Sequence, residues 1–84
     1  MLELFHTIAD TDSAAARRLV VELGLKEQVS FRNVAYDEAR ADLEARGGSA
    51  TPALWDGHTL VVGAPAIARR LALLKEPPHG EKAR

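Results

Sequence analysis

Between Ala53 and Val62 the chain reads Ala-Leu-Trp-Asp-Gly-His-Thr-Leu-Val-Val, two short apolar runs around an Asp-Gly pair. No other feature narrows the available folds as much. A two-residue hairpin turn needs positive φ at its centre, which glycine takes freely and aspartate tolerates, so the flanking runs become antiparallel strands. With the turn centred on Asp56-Gly57, Trp55 opposes His58, Leu54 opposes Thr59 and Ala53 opposes Leu60. Both faces of that hairpin carry apolar groups and both need cover. Gly63-Ala64-Pro65 then breaks the second strand and opens a helix, in which Ile67, Leu71 and Leu74 recur at helical spacing while Arg69 and Arg70 are left to water. Pro52 cannot donate to a ladder, so it belongs at a strand's first residue or an edge, a setting in which the Thr51-Pro52 bond can be cis.

The rest of the chain supplies partners for this hairpin. Leu2-Glu-Leu-Phe5 reads as a first, central strand. Asp10-Thr11-Asp12-Ser13 opens a helix with Ala16, Leu19, Val20 and Leu23 on one face, and Gly24 supplies its left-handed stop. Val29 to Tyr36 is rich in β-branched and aromatic residues, and a strand, helix, strand order of this length predicts parallel pairing. Asp37 is expected to cap a helix running through Arg46, whose only large apolar residue is Leu43, followed by Gly47-Gly48-Ser49 as a flexible joint. The resulting order is β-α-β-α-β-β-α.

Composition bounds the function. Eighty-four residues make one domain, expected over residues 1–75, with Glu76 to Arg84 a disordered tail that lacks periodicity. Eleven basic and twelve acidic side chains give a net charge of −1. They are interspersed, so the chain has no electrostatic footprint for nucleic acid or an anionic membrane. No apolar run approaches the length of a membrane span and no signal-like segment follows Met1, so a soluble, cytoplasmic protein is expected. The sequence contains no cysteine. Disulfides, thiolate metal sites and thiol redox chemistry are therefore excluded.

Thr51-Pro52-Ala53-Leu54, Asp56-Gly57 and the Ala66-Ile67-Ala68-Arg69-Arg70-Leu71 helix together resemble the glutaredoxins and the amino-terminal domain of glutathione S-transferases, both of thioredoxin-like fold. The resemblance covers Leu2 to about Leu74. It implies an α/β architecture, a four-stranded mixed sheet flanked by three helices, with Pro52 as the family's cis-proline beside the active site. It also implies that the Thr51 main chain pairs with the peptide backbone of glutathione. In such proteins the reactive thiolate stands at the start of the first helix, where free N–H groups and the helix dipole stabilise it. By the resemblance, the Cys-X-X-Cys positions fall on Asp10-Thr11-Asp12-Ser13.

Neither position carries sulfur. Asp10 is a poor nucleophile for disulfide exchange, and Ser13 is un-ionised near neutrality and misplaced for a serine-type transferase. Asp10 and Asp12 complement the helix dipole with the chain's own anions and repel an incoming thiolate. The usual lysine before the motif falls on Thr7. The segment that holds the glutathione amino group falls on Val62-Gly63-Ala64-Pro65-Ala66, without a carboxylate, and the transferases' Glu-Ser pair falls on Gly63-Ala64.

The favoured expectation is a cysteine-free, non-catalytic module that requires no cofactor and binds a protein or peptide partner. Its groove would be formed by Thr11, Asp12, Thr51, Pro52, Gly63 and Ala64, an extended peptide adding to the edge of the third strand. The competing expectation is a glutathione-binding or glutathione-dependent transferase-like enzyme using Asp10 and Ser13. A third is a relict paralogue that depends on homodimer formation, given its small core. Other chemistry-bearing residues have plainer readings. His6, Asp10 and Asp12 suit a metal by type but look like a helix start, His58 is a cross-strand contact and Trp55 a half-buried packing residue. Arg17-Arg18 and Arg69-Arg70 are solvated helix faces, and His79 stands in the tail.

Overall fold

The computed structural model describes residues 2–75. The tail expected from Glu76 onward, with His79, lies outside them. The elements are β1 (Leu2–His6), α1 (Thr11–Glu22), a single 3-10 turn at Lys26–Gln28, β2 (Val29–Asn33), α2 (Asp37–Ala45), β3 (Ala53–Trp55), β4 (Leu60–Val62) and α3 (Ala64–Lys75). They form a four-stranded sheet in the order β2-β1-β3-β4. β1 pairs parallel with β2 and antiparallel with β3, which pairs antiparallel with β4. The chain is thus an α/β domain of thioredoxin-like arrangement, with β1 central.

Alternation along β1 divides the interior into two layers. Leu4 packs with Ala16 and Val20 of α1, Leu54 of β3, and Ile67 and Leu71 of α3 in the larger core. Phe5 packs on the opposite face with Ala53 of β3 and Leu43 of α2, joined by Val34, Trp55 and Leu60. The α2 layer is small. A charged lattice completes it: Glu3 accepts from the Arg32 guanidinium at 3.0 Å and pairs with Arg46 at 3.1 Å, and Arg32 also donates to Asp42 at 2.6 Å. Both guanidiniums lie over the Phe5 ring, and Arg46 also covers Trp55. These side chains close by cation–π contact and ion pairing a face that aliphatic residues leave thin.

Both longer loops leave their helices through the same hydrogen-bond pattern. Gly24 donates to the Val21 carbonyl and Leu25 to that of Val20, and Gly47 and Gly48 repeat this with Glu44 and Leu43. These are Schellman endings, with the first glycine of each at positive φ. Gly47-Gly48 is therefore a helix stop bonded back onto α2 rather than a flexible joint.

Two boundaries and one core position differ from the sequence expectation. The second strand stops at Asn33 instead of reaching Tyr36, because Asn33 Oδ1 accepts from the Ala35 N–H and its carbonyl accepts from the Tyr36 N–H, turning the chain. Tyr36, not Asp37, is the capping position of α2, and it makes no side-chain cap bond. Leu74 lies outside the core with 45% of its surface exposed, whereas Ile67 and Leu71 are wholly buried.

The hairpin register also moves. Ala53 opposes Val62, Leu54 opposes Val61 and Trp55 opposes Leu60. Asp56 and Thr59 extend that pairing, leaving Gly57-His58 as the turn with Gly57 at φ +101°. The reason lies in the aspartate side chain: Asp56 Oδ1 accepts from the N–H groups of His58 and Thr59, at 2.8 and 2.7 Å, so Asp56 caps the turn from its first corner. Each partner shifts by two residues, and so every side chain keeps its predicted face. Arg70 is not left to water either, since its guanidinium bonds Asp56 Oδ2.

Candidate functional site

β1 ends at His6, and the chain crosses Thr7-Ile8-Ala9-Asp10 before entering α1. On the other side of β1, Phe5 opposes Ala53, so Pro52 is the next residue of the incoming segment, at the same end of the sheet as His6. The Thr51-Pro52 peptide bond is cis. Topology therefore brings the start of α1 and the Thr51-Pro52 corner to one end of the sheet, which is where the sequence assigns the groove.

The start of α1 is closed internally. Asp10 caps it, its Oδ1 accepting from the Asp12 N–H at 3.2 Å and its Oδ2 from the Ser13 hydroxyl at 2.9 Å. Ser13 Oγ in turn accepts from the Thr7 N–H at 3.2 Å, and Ser13 has no exposed surface. One further turn along α1, Arg17 donates to the Thr7 carbonyl and to His6 Nδ1, both at 3.0 Å. Side chains of α1 thus hold both main-chain groups of Thr7. Arginine only donates, so Nδ1 of His6 must accept and the neutral ring carries its proton on Nε2. Burial, with the Arg17 charge adding to it, holds the His6 pKa below its ordinary value. His6 also meets Phe31 edge-on, with ring centroids 5.8 Å apart.

Arg17 is thus a fastening residue and not part of a solvated face, whereas Arg18 is exposed. One sequence signal points to this role: Arg17 follows Ser13 by four positions and so lies on the flank of the Ser13, Ala16, Val20 stripe.

The remaining groove residues separate into committed and open groups. Thr11 and Asp12 are exposed, Pro52 is buried, and Thr51, Gly63 and Ala64 are half-buried. The Gly63 N–H donates to the Pro52 carbonyl at 2.9 Å and its own carbonyl accepts from Ile67, so both Gly63 groups are engaged in the fold. Thr51 differs, for neither its N–H nor its carbonyl has a hydrogen-bond partner among the described residues. β3 lies between β1 and β4, so it offers no edge to a peptide. Thr51, one residue before the paired stretch reaches Pro52, is the part of that segment with open main chain. Ile8, in the facing loop, is 66% exposed.

Among the described residues no three metal-ligating side chains converge. His58 stands in the turn and does not oppose Trp55. Two surface cavities lie elsewhere. One of about 460 Å³ is lined by Leu2, Glu27, Gln28 and Asp56 at the far end of the sheet. One of about 260 Å³ lies along the outer side of β2. No described helix is long and apolar enough to cross a membrane. No family model matches the chain, and no curated protein or solved structure matches it.

Proposed function

We propose that the chain is a glutaredoxin-like domain, akin to the amino-terminal domain of glutathione S-transferases, that carries out no thiol chemistry and acts as a binding module for an extended peptide main chain. The observation that carries this reading is the contrast at one end of the sheet. Among the described residues Thr51 has no partner for its N–H or its carbonyl, beside a buried proline, while the Ser13 hydroxyl has no exposed surface and is bonded on both sides. A hydroxyl in that state cannot reach a ligand, whereas a free N–H and carbonyl on one residue are the groups by which a strand accepts another. Ile8 offers apolar surface to a side chain of the guest.

Backbone amide shifts of the folded protein test the reading, followed during titration with a short extended peptide and, separately, with glutathione. Peptide-induced shifts centred on Thr51, Ala53 and Ile8 support it. Shifts from glutathione alone at Asp10 to Ser13, Thr51 and Gly63 transfer support to the transferase-like reading, in which the same Thr51 groups hold the tripeptide. No shift from either overturns the peptide site.

A further inference from the structure

Arg17 reaches two acceptors with a single nitrogen, its Nη1 donating to His6 Nδ1 and to the Thr7 carbonyl, each at 3.0 Å. The ring and the loop carbonyl are thus held by one group, and neither contact is independent of the other. Nδ1 can accept only while the imidazole is neutral. A proton there turns the acceptor into a donor and sets a second positive charge against the guanidinium. Nη1 must then retreat, and the carbonyl that shares it loses that donor.

His6 meets little else that could receive the new charge. It is 5% exposed, on the α1 side of the sheet. From α1 it faces Arg17, while Asp10 is committed to the Asp12 N–H and the Ser13 hydroxyl. From β2 come the Phe31 ring and Asn33, its register partner, whose Oδ1 already accepts from the Ala35 N–H. Arg32 turns to the opposite layer, onto Glu3 and Asp42. Thr51 and Pro52 bring no titratable group, and on α3 Arg69 is exposed and Arg70 holds Asp56. Burial first, and the Arg17 charge second, disfavour the protonated ring, and no carboxylate among the described residues offsets them.

We propose that His6, Arg17 and Thr7 form a pH-operated latch, in which protonation of Nδ1 drives Arg17 off both the ring and the Thr7 carbonyl and frees the Ile8-Ala9 segment beside the Thr51 corner. Thr7 keeps its N–H on Ser13 Oγ, so the loop pivots on that bond and stays attached to α1. Ile8 and Ala9, exposed and without a main-chain hydrogen bond among the described residues, follow the carbonyl. The latch is closed at neutral pH and opens as pH falls below 6.5, the ordinary histidine value. Its consequence for binding rests on the Thr51 reading above: the closed latch fixes Ile8 where a side chain of the guest packs, so acid weakens the peptide complex.

An NMR titration of the free protein from about pH 7.5 to about pH 4.5 tests it, following the His6 ring, the Thr7 carbonyl carbon and the Ile8 and Ala9 amides. One shared midpoint below 6.5 is expected, with the Leu54 and Val61 amides of the hairpin unmoved. In Arg17→Met the Ile8 and Ala9 signals at neutral pH should already lie toward the acid position of the unaltered protein. In His6→Gln, whose amide oxygen can still accept from Arg17, the response of the loop should be lost. Loop signals that titrate apart from the ring, or stay fixed while it titrates, overturn the latch, as does a ring that remains neutral throughout; none of these results needs a variant to fold. A response that survives His6→Gln overturns it in favour of Asp10 or Asp12, and loss of the hairpin amides at the same midpoint overturns it in favour of unfolding. Peptide titrations at both ends of the range separate the latch from the groove. A roughly threefold or greater loss of affinity in acid supports their coupling, and equal affinity overturns it. A loop that titrates while no peptide binds at either pH supports the latch and removes the Thr51 reading.

Discussion

His6 and Ser13 are the only described polar side chains sunk in the core, and each has a partner that explains its presence. Because the His6 pKa is held below 6.5 in the fold, the unfolded chain binds a proton more readily. Stability is therefore full above about pH 6.5 and falls as pH drops from there toward the folded-state pKa. Denaturant midpoints at about pH 7.5 and about pH 5 should show this loss, and His6→Gln should reduce it. Arg17→Met removes the nearby charge, and the His6 ring resonances should then titrate at higher pH than in the unaltered protein, though still under the influence of burial. Ser13→Ala strands the Thr7 N–H and frees Asp10. We expect a loss of about 1–3 kcal/mol in chemical unfolding. The pairing of these residues with Thr7 was not legible in the sequence, because the backbone of a connecting loop carries no pattern that says which helix side chain will reach it.

At the scale of elements, turn chemistry decides most of what differs from expectation. Asp56 is legible as a turn residue, but its role as a cap instead of a central position depends on its carboxylate finding two N–H groups. Those bonds, from Thr59 first and His58 second, also hold the Asp56 carboxyl below its ordinary pKa. The turn is accordingly strongest above the ordinary carboxylate range and weakens as pH falls through the lowered value. The end of α2 has a different sensitivity. A Cβ on Gly48 would collide with Leu60 Cδ2 and come within 2.8 Å of Leu43 Cδ1, the two residues that join α2 to the hairpin. Gly48→Ala should therefore cost about 1–3 kcal/mol through overpacking, read as a lower denaturation midpoint with an unchanged slope. The helix faces themselves were readable, since Ala16, Val20, Ile67 and Leu71 follow the 3.6-residue period and are all buried.

Across the whole molecule, the sheet has a large apolar layer under α1 and α3 and a small mixed one under α2, where Glu3 stands between Arg32 and Arg46. Glu3→Gln leaves two guanidiniums facing each other over Phe5 and should destabilise by about 1–3 kcal/mol, the effect shrinking in high salt as the repulsion is screened. The order of elements, the parallel first pair, the hairpin and the faces of its strands were determined by the sequence alone, because periodicity, glycine and proline act over a few neighbouring residues. Only the tertiary structure decided that Arg17, Arg70 and Glu3 are fasteners, and that Thr51 keeps its main chain open while Gly63 does not. Those outcomes depend on which groups meet across distant parts of the chain, where a hydrogen bond forms by geometry that no local pattern records.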